Sequence, residues 1–146
     1  MIVFVDTNVL LDVFQQRSPY YESSAFVWGV AEKQKAKVYI SAISYNNVFY
    51  IIRKHSGKDA AQHAIEVLNA TFSLAPLDQM TLGKAVWARK TDFEDAIQFY
   101  SAISIGAECI VTRNLKDFPQ DVLPVLTPDA FYSMYVDEFY PDLLKE

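Results

Sequence analysis

Cysteine is nearly absent from this sequence: Cys109 stands alone, so no internal disulfide forms and a disulfide-stapled fold is excluded. Its setting in the apolar run Glu108-Cys-Ile-Val-Thr112 marks it as a small buried hydrophobe, and a single thiol fits a reducing cytoplasm. Only 4 glycines and 6 prolines occur, which leaves no flexible linker and no glycine-rich phosphate loop. No apolar run reaches the length of a membrane span, and no charged segment leads into a signal-type apolar run. A cytoplasmic protein without a membrane partner is therefore expected. His55 and His63 have no partner at metal-ligand spacing and no cysteine nearby, which removes a zinc site. Positive charge is also in deficit. A net charge of −5 argues against a passive, sequence-independent nucleic-acid coat. It leaves room for an enzyme that meets phosphate through bound divalent cations, with Arg53, Lys54, Lys58, Arg89, Lys90, Arg113 and Lys116 holding the rest of a polyanion.

What is abundant is apolar side chain. Hydrophobic residues make up 51%, with 10 Phe and 9 Tyr, which rules out disorder and, at 146 residues, implies a single domain over 1–146 with a real core. Short β-branched runs at Ile2–Val5, Ala36–Ser41, Phe72–Ala75, Glu108–Thr112 and Val122–Leu126 read as strands, the last an edge strand because Pro124 cannot donate to a ladder. Helical spacing follows or precedes each: Val9–Phe14, a helix from Ser18 or Tyr20 through about Lys35, Ala42–His55 ending at Ser56-Gly57, Lys58–Thr71, a helix capped by Asp78 and running to Arg89, Thr91–Ala102, and a last helix opened by Thr127-Pro128. The acidic, aromatic tail from Asp137 to Glu146 packs only in part. Strands alternating with helices predict an α/β fold, a three-layer α/β/α sandwich around a parallel sheet of four to five strands.

Chemistry-bearing residues gather where strands end. Asp6-Thr-Asn8 follows the first strand, where an acid or hydroxyl either caps the next helix or lies where ligands of open α/β sheets bind. In Thr91-Asp-Phe-Glu-Asp-Ala96, Asp92 and Asp95 are three apart and share one side of the first helical turn, while Glu94 should point away and serve only the helix dipole. Phe93, Ala96, Ile97, Tyr100 and Ile103 form that helix's core face. The fourth strand ends in Thr112-Arg-Asn114, with Lys116-Asp117 just after. The fold brings Asp6, Asp95 and Asp117, with Asp92, Thr7, Asn8, Thr112 and Asn114, to one end of the sheet. Converging carboxylates are costly unless a cation neutralises them. Hard oxygen ligands without His or Cys point to Mg²⁺ or Mn²⁺. Two-metal phosphodiester hydrolysis would use Asp6 and Asp95 at the ion, Thr112 or Asn114 at a water or phosphate oxygen, and Arg113 and Lys116 on the nucleic-acid backbone.

Val3-Phe-Val-Asp-Thr-Asn-Val-Leu-Leu-Asp12, Asp92-Phe-Glu-Asp-Ala96 and Ile110-Val-Thr-Arg-Asn-Leu-Lys-Asp-Phe118 together resemble the three signature blocks of the PIN domain family, which includes the VapC-type ribonuclease toxins. The resemblance covers nearly the whole chain. It implies a Mg²⁺- or Mn²⁺-dependent endoribonuclease, often a homodimer, and in toxin members a co-expressed antitoxin that blocks the site. It assigns metal-binding acids to Asp6, Asp95 and Asp117, with Asp92 as a neighbour; in the last block either Asp117 or Asn114 matches the family's acid. One position departs from the pattern. Where the family usually carries a glutamate early in the helix after the second strand, this chain has Asn47, whose amide oxygen can ligate a hard cation but carries no charge.

Two other readings compete with the ribonuclease. Asn47 and the acidic net charge suit a catalytically weak PIN-like module that binds RNA or a protein partner. An α/β phosphotransferase using Asp6 as nucleophile normally has a second acid two residues on, where this chain has Asn8.

Overall fold

The computed structural model describes residues 1–89 and 91–141. Lys90, and the end of the tail for which partial packing is expected, lie outside them. Strand β1 (Ile2–Val5) occupies the centre of a sheet whose other members are β2 (Lys37–Ser41), β3 (Ser73–Ala75), β4 (Cys109–Val111) and β5 (Val125–Leu126). The order is β3-β2-β1-β4-β5, and each pairing is parallel. From β1 the chain builds outward to β2 and β3, then returns to lay β4 and β5 on the other side. The gap between the carboxyl ends of β1 and β4 is thus a topological switch point, the usual place for a ligand.

Helices cover both faces. On one lie α1 (Thr7–Phe14), α2 (Tyr21–Glu32), α3 (Ala42–Ser56), α4 (Lys58–Thr71) and α7 (Pro128–Phe139). Their side chains Leu10, Val27, Val30, Val48, Leu68 and Phe131 share a core with Val3, Val5, Val38, Ile40, Cys109 and Val111 of the sheet. On the other lie α5 (Gln79–Trp87) and α6 (Phe93–Ser104), where Phe99 and Ala102 pack with Phe4 and Ile110. Residues of alternating parity therefore enter opposite cores, so β1 and β4 read as continuous apolar runs because both faces are buried.

Most boundaries follow from local chemistry. Ser41 accepts from the Ile43 amide at the start of α3, Asp78 from Thr81 at α5, and Thr127 from Ala130 at α7, each satisfying an amide that the helix leaves open. Gly57, at φ 92°, supplies the left-handed turn between α3 and α4. Differences from the sequence expectations are local. Helix α2 ends at Glu32 and α5 at Trp87. Strand β5 keeps only Val125–Leu126, since Pro124 enters the ladder through its carbonyl alone, accepting from Ile110 at 3.0 Å. Phe93 is not a core residue. It is half exposed at the first position of α6, and Gln98 and Phe99 are buried along with Ala96 and Ile97. Among the described residues no helix is long and apolar enough to cross a membrane.

Phe4 is fully buried between β2, β4 and α6, whereas Met134 is 56% exposed. Phe4→Ala should lower the unfolding free energy by about 3–5 kcal/mol, and Met134→Gln should stay within about 0.5 kcal/mol of wild type. Urea unfolding midpoints test both.

Candidate active site

Asp6 leaves β1 at its carboxyl end, its amide bonded to the Val111 carbonyl at 3.0 Å, and its side chain turns back to cap α1. Oδ1 accepts from the Thr7 amide at 2.7 Å and from Gln98 Nε2 at 3.2 Å. Oδ2 accepts from Thr112 Oγ1 at 2.8 Å and from Asn8 Nδ2 at 3.3 Å. Capping and site placement are therefore one arrangement, not alternatives. The carboxylate is only 9% exposed. Burial raises its pKa, the bonds from Thr112, Thr7 and Gln98 oppose that shift, and the charge of Asp117 adds to it.

The carboxylate faces an open cleft of about 320 Å³ lined by Asp6, Thr7, Asn8, Asn47, Tyr50, Glu94, Asp95, Asn114 and Asp117 among others. A hollow of about 490 Å³ at the amino ends of the strands is larger but holds a single acid, Glu32. Asp95 projects from the first turn of α6. Burial, then the charges of Asp117, Asp92, Asp6 and Glu94, push its carboxyl up to about 6. Such mutual destabilisation marks uncompensated negative charge in one place. Among the described residues no three His, Cys, Asp or Glu side chains stand close enough to grasp one ion together. The acids rim the cleft instead of forming a closed cage.

The other predicted residues divide into three groups. Asn8, Asn47, Asn114 and Asp117 line the same cleft as Asp6 and Asp95. Asp92 and Lys116 line an adjoining hollow that reaches Asp95 and Asp117 from the other side, with Asp92 capping α6 through the Asp95 amide at 3.2 Å. Thr112 and Arg113 are turned elsewhere. Thr112 is fully buried, and its hydroxyl serves Asp6 while accepting from the Asn114 amide at 3.1 Å, so it orients the acid and does not meet solvent. Arg113 places its guanidinium 2.9 Å from the buried Asp12, without a directed hydrogen bond, and 4.2 Å from the Tyr20 ring centroid. Its role here is to anchor the loop after β4 to α1 and α2.

Three features lay outside the sequence expectations. Glu94 does not point away: it lines the cleft, and its Oε1 accepts from Asn47 Nδ2 at 2.6 Å. The i, i+3 relation of Asp92 and Asp95 says nothing of where α3 will lie, and α3 supplies the partner. Gln98 is 1% exposed, and its amide nitrogen reaches Asp6, Thr7 Oγ1 at 3.0 Å and Ser44 Oγ at 3.2 Å. Its signal is its position three residues after Asp95, on the same side of α6, as a polar residue inside a buried run. Tyr50, a residue of aromatic-rich α3, is 65% exposed at the cleft wall.

Comparisons with known proteins accord with this geometry. Residues 2–116 match the family profile described as "PIN domain". Over 134 residues the chain is 28% identical to Ribonuclease VapC1 of Aquifex aeolicus (strain VF5), covering 88% of this chain and 92% of that protein. A toxin-antitoxin complex from Klebsiella pneumoniae contains a chain that superposes with a TM-score of 0.66 at 26% identity, covering 86% of this chain and 97% of that one. A DNA-bound VapBC from Salmonella typhimurium superposes with a TM-score of 0.67 at 18% identity, covering 88% and 98%, which speaks to fold alone.

Two measurements probe the site without any substrate. A carboxyl whose pKa is higher in the folded than in the unfolded chain favours folding below its unfolded value, and loses that contribution as pH rises through its folded value. For Asp95 the window runs from 3.8 to about 6. Asp95→Asn should therefore gain melting temperature relative to wild type as pH rises through this window, then hold a constant lead; a lead that is flat from pH 4 to 7 refutes the shift. Arg113→Ala strands the fully buried Asp12, and should cost about 3–5 kcal/mol in urea unfolding, most of it recovered in Asp12→Leu/Arg113→Met.

Proposed function

Because this chain belongs to the PIN domain family, we propose that it is a divalent-metal-dependent endoribonuclease that cleaves RNA phosphodiester bonds, acting as the toxin of a toxin-antitoxin pair or in RNA processing. The observation that carries this reading is the gathering of Asp6, Asp95 and Asp117 around one open cleft at the switch point of the sheet. The donor set is all oxygen, which fits Mg²⁺ or Mn²⁺. The open spacing of the acids also fits, since Mg²⁺ keeps several waters and uses one or two carboxylates plus substrate phosphate. A cation held there supplies water activation and neutralises charge at the leaving oxygen.

The chain's own residues do the positioning. Thr7 and Thr112, through the two shortest bonds, fix the Asp6 carboxylate. Asn8 makes the longest of the four bonds to Asp6, at 3.3 Å, and would be the first donor to yield if that carboxylate held a cation. Asp95 and Asp117 supply the remaining charge, and Asp95 holds a proton below about pH 6 until a cation displaces it. Exposed Asn114 orients a phosphate oxygen, and Lys116 in the adjoining hollow contacts the RNA backbone.

A protein partner belongs to the same reading. Met80, Val86 and Trp87 on α5 are 72%, 55% and 70% exposed, an apolar strip of the kind that marks interfaces. It suits an antitoxin or a second copy in a homodimer, and the inert thiol of Cys109, pushed up to about 12 by burial, suits a reducing cytoplasm. A second reading, a catalytically weak module that binds RNA or a protein partner, is favoured by one observation: α3 presents to the cleft the uncharged amide of Asn47.

Cleavage of a mixed RNA pool in Mn²⁺ separates the two. Wild type should cut and EDTA should abolish cutting. Asp6→Asn should lose about 10²–10³-fold, the usual cost of removing one preorganised charge-stabilising group. Calorimetric Mn²⁺ binding without cleavage selects the binding module, and a folded wild type that binds no Mn²⁺ rejects the enzyme. Mn²⁺ affinity should also be weaker at pH 5.5 than at 7.5, because below about pH 6 the proton on Asp95 competes with the cation.

A further inference from the structure

Resting on the metal-dependent reading above, we infer that Glu94 supplies, from α6, the negative charge that α3 lacks at Asn47. The two side chains meet across the cleft, Asn47 Nδ2 donating to Glu94 Oε1 at 2.6 Å, although 47 residues separate them in sequence. Both line the cleft that holds Asp6, Asp95 and Asp117. The contact fixes the polarity of the pair. An amide nitrogen turned toward Glu94 cannot be a ligand, and the Asn47 oxygen is turned away from that carboxylate. Asn47 is thus a donor that orients a neighbouring acid, and Glu94 is the charged member.

The competing view is that Glu94 is a solvated first-turn acid serving only the dipole of α6. That view accounts for an acid at the second helical position. It does not account for a charge-assisted bond to a side chain of another helix. Among the described residues Glu94 has no cationic partner. Its carboxylate lines the same cleft as Asp6, Asp95 and Asp117. A negative charge there lowers the energy of a cation in the cleft. Where the α3 wall of the cleft offers an amide, the α6 wall offers a carboxylate.

A charge supplied across the cleft predicts an exchange that a helix-dipole role does not. Mn²⁺ binding by the full chain is measured by calorimetry at pH 7.5 for wild type, Glu94→Gln, and the exchanged Asn47→Glu/Glu94→Asn. Glu94→Gln keeps size and helix position, so folding is preserved, and circular dichroism confirms it. It should weaken Mn²⁺ binding about 10–100-fold, the usual effect of removing a group that supports a metal site. The exchanged variant should recover most of that loss, and RNA cleavage in Mn²⁺ should follow the same order. Wild-type affinity in Glu94→Gln, or an exchanged variant no better than Glu94→Gln, overturns the inference while leaving the metal-dependent reading intact. A wild type that binds no Mn²⁺ overturns both.

Discussion

The fold and the cleft both depend on how a carboxylate is kept at the end of the central strand. Burying Asp6 disfavours its charge, and burial is the largest influence on its pKa. Four donors answer it, two to each oxygen, from Thr7 and Asn8 on α1, Gln98 on α6 and Thr112 just beyond β4. No donor set of this kind forms locally. It requires Val5 opposite Val111 in the sheet, which brings Thr112 beside Asp6, and α6 packed on the far face, which brings Gln98 beneath it. A slip of β4 by one residue would turn Thr112 to the opposite face and leave the acid short of its strongest hydroxyl donor. The polar network therefore helps to specify the register that the apolar runs alone define loosely.

The same logic extends to the loop after β4. Asn114 and Asp117 reach the cleft from a short segment that holds only a single 3₁₀ turn, Leu115–Asp117. What steadies its start is on the side away from the cleft, where Arg113 is drawn to fully buried Asp12 and lies over Tyr20. Asn8 links the two sides, its oxygen accepting from the Arg113 amide at 3.3 Å while its nitrogen faces Asp6 and Thr112. Helix α1 thus presents one acid to solvent chemistry and another to scaffolding, six residues apart. A basic residue following a strand end in sequence is not by that fact a substrate contact.

Legibility in the sequence followed the range of the interactions involved. Elements set by local chemistry were readable: β1 from its apolar run, α4 over Lys58–Thr71 from its periodicity, and the α5 and α7 starts from Asp78 and Thr127. The parallel sheet followed from the alternation of strand and helix. So did the meeting of Asp6, Asp95 and Asp117, because strand ends and helix starts share one edge of such a sheet. Features that depend on which helix faces which were not readable. The Asn47–Glu94 bond needs the packing of α3 against the start of α6, and the exposure of Phe93 needs to be known from the termini of α6, where the core face has not yet begun. The role of Gln98 was not readable either, because its partners, Asp6, Thr7 and Ser44, come from other elements.

An acidic protein with an acid-lined cleft meets an electrostatic obstacle if its substrate is RNA. Without a cation, the neighbouring acids raise the pKa of Asp95, and the cleft repels phosphate. A net charge of −5 offers no general attraction to compensate. The obstacle is also a device. Affinity for a polyanion would then depend on the cation, and the proposed site would bind its substrate only when loaded for chemistry. A basic cleft would bind RNA with or without metal and gain nothing for the transition state, since binding that is equal in both states does not accelerate a reaction. For the proposed nuclease the attraction would be concentrated on the ion and so on the phosphate where charge develops. On this view the scarcity of cationic side chains at the cleft among the described residues, with Arg113 committed to Asp12 and Lys116 in the adjoining hollow, belongs with the proposed function.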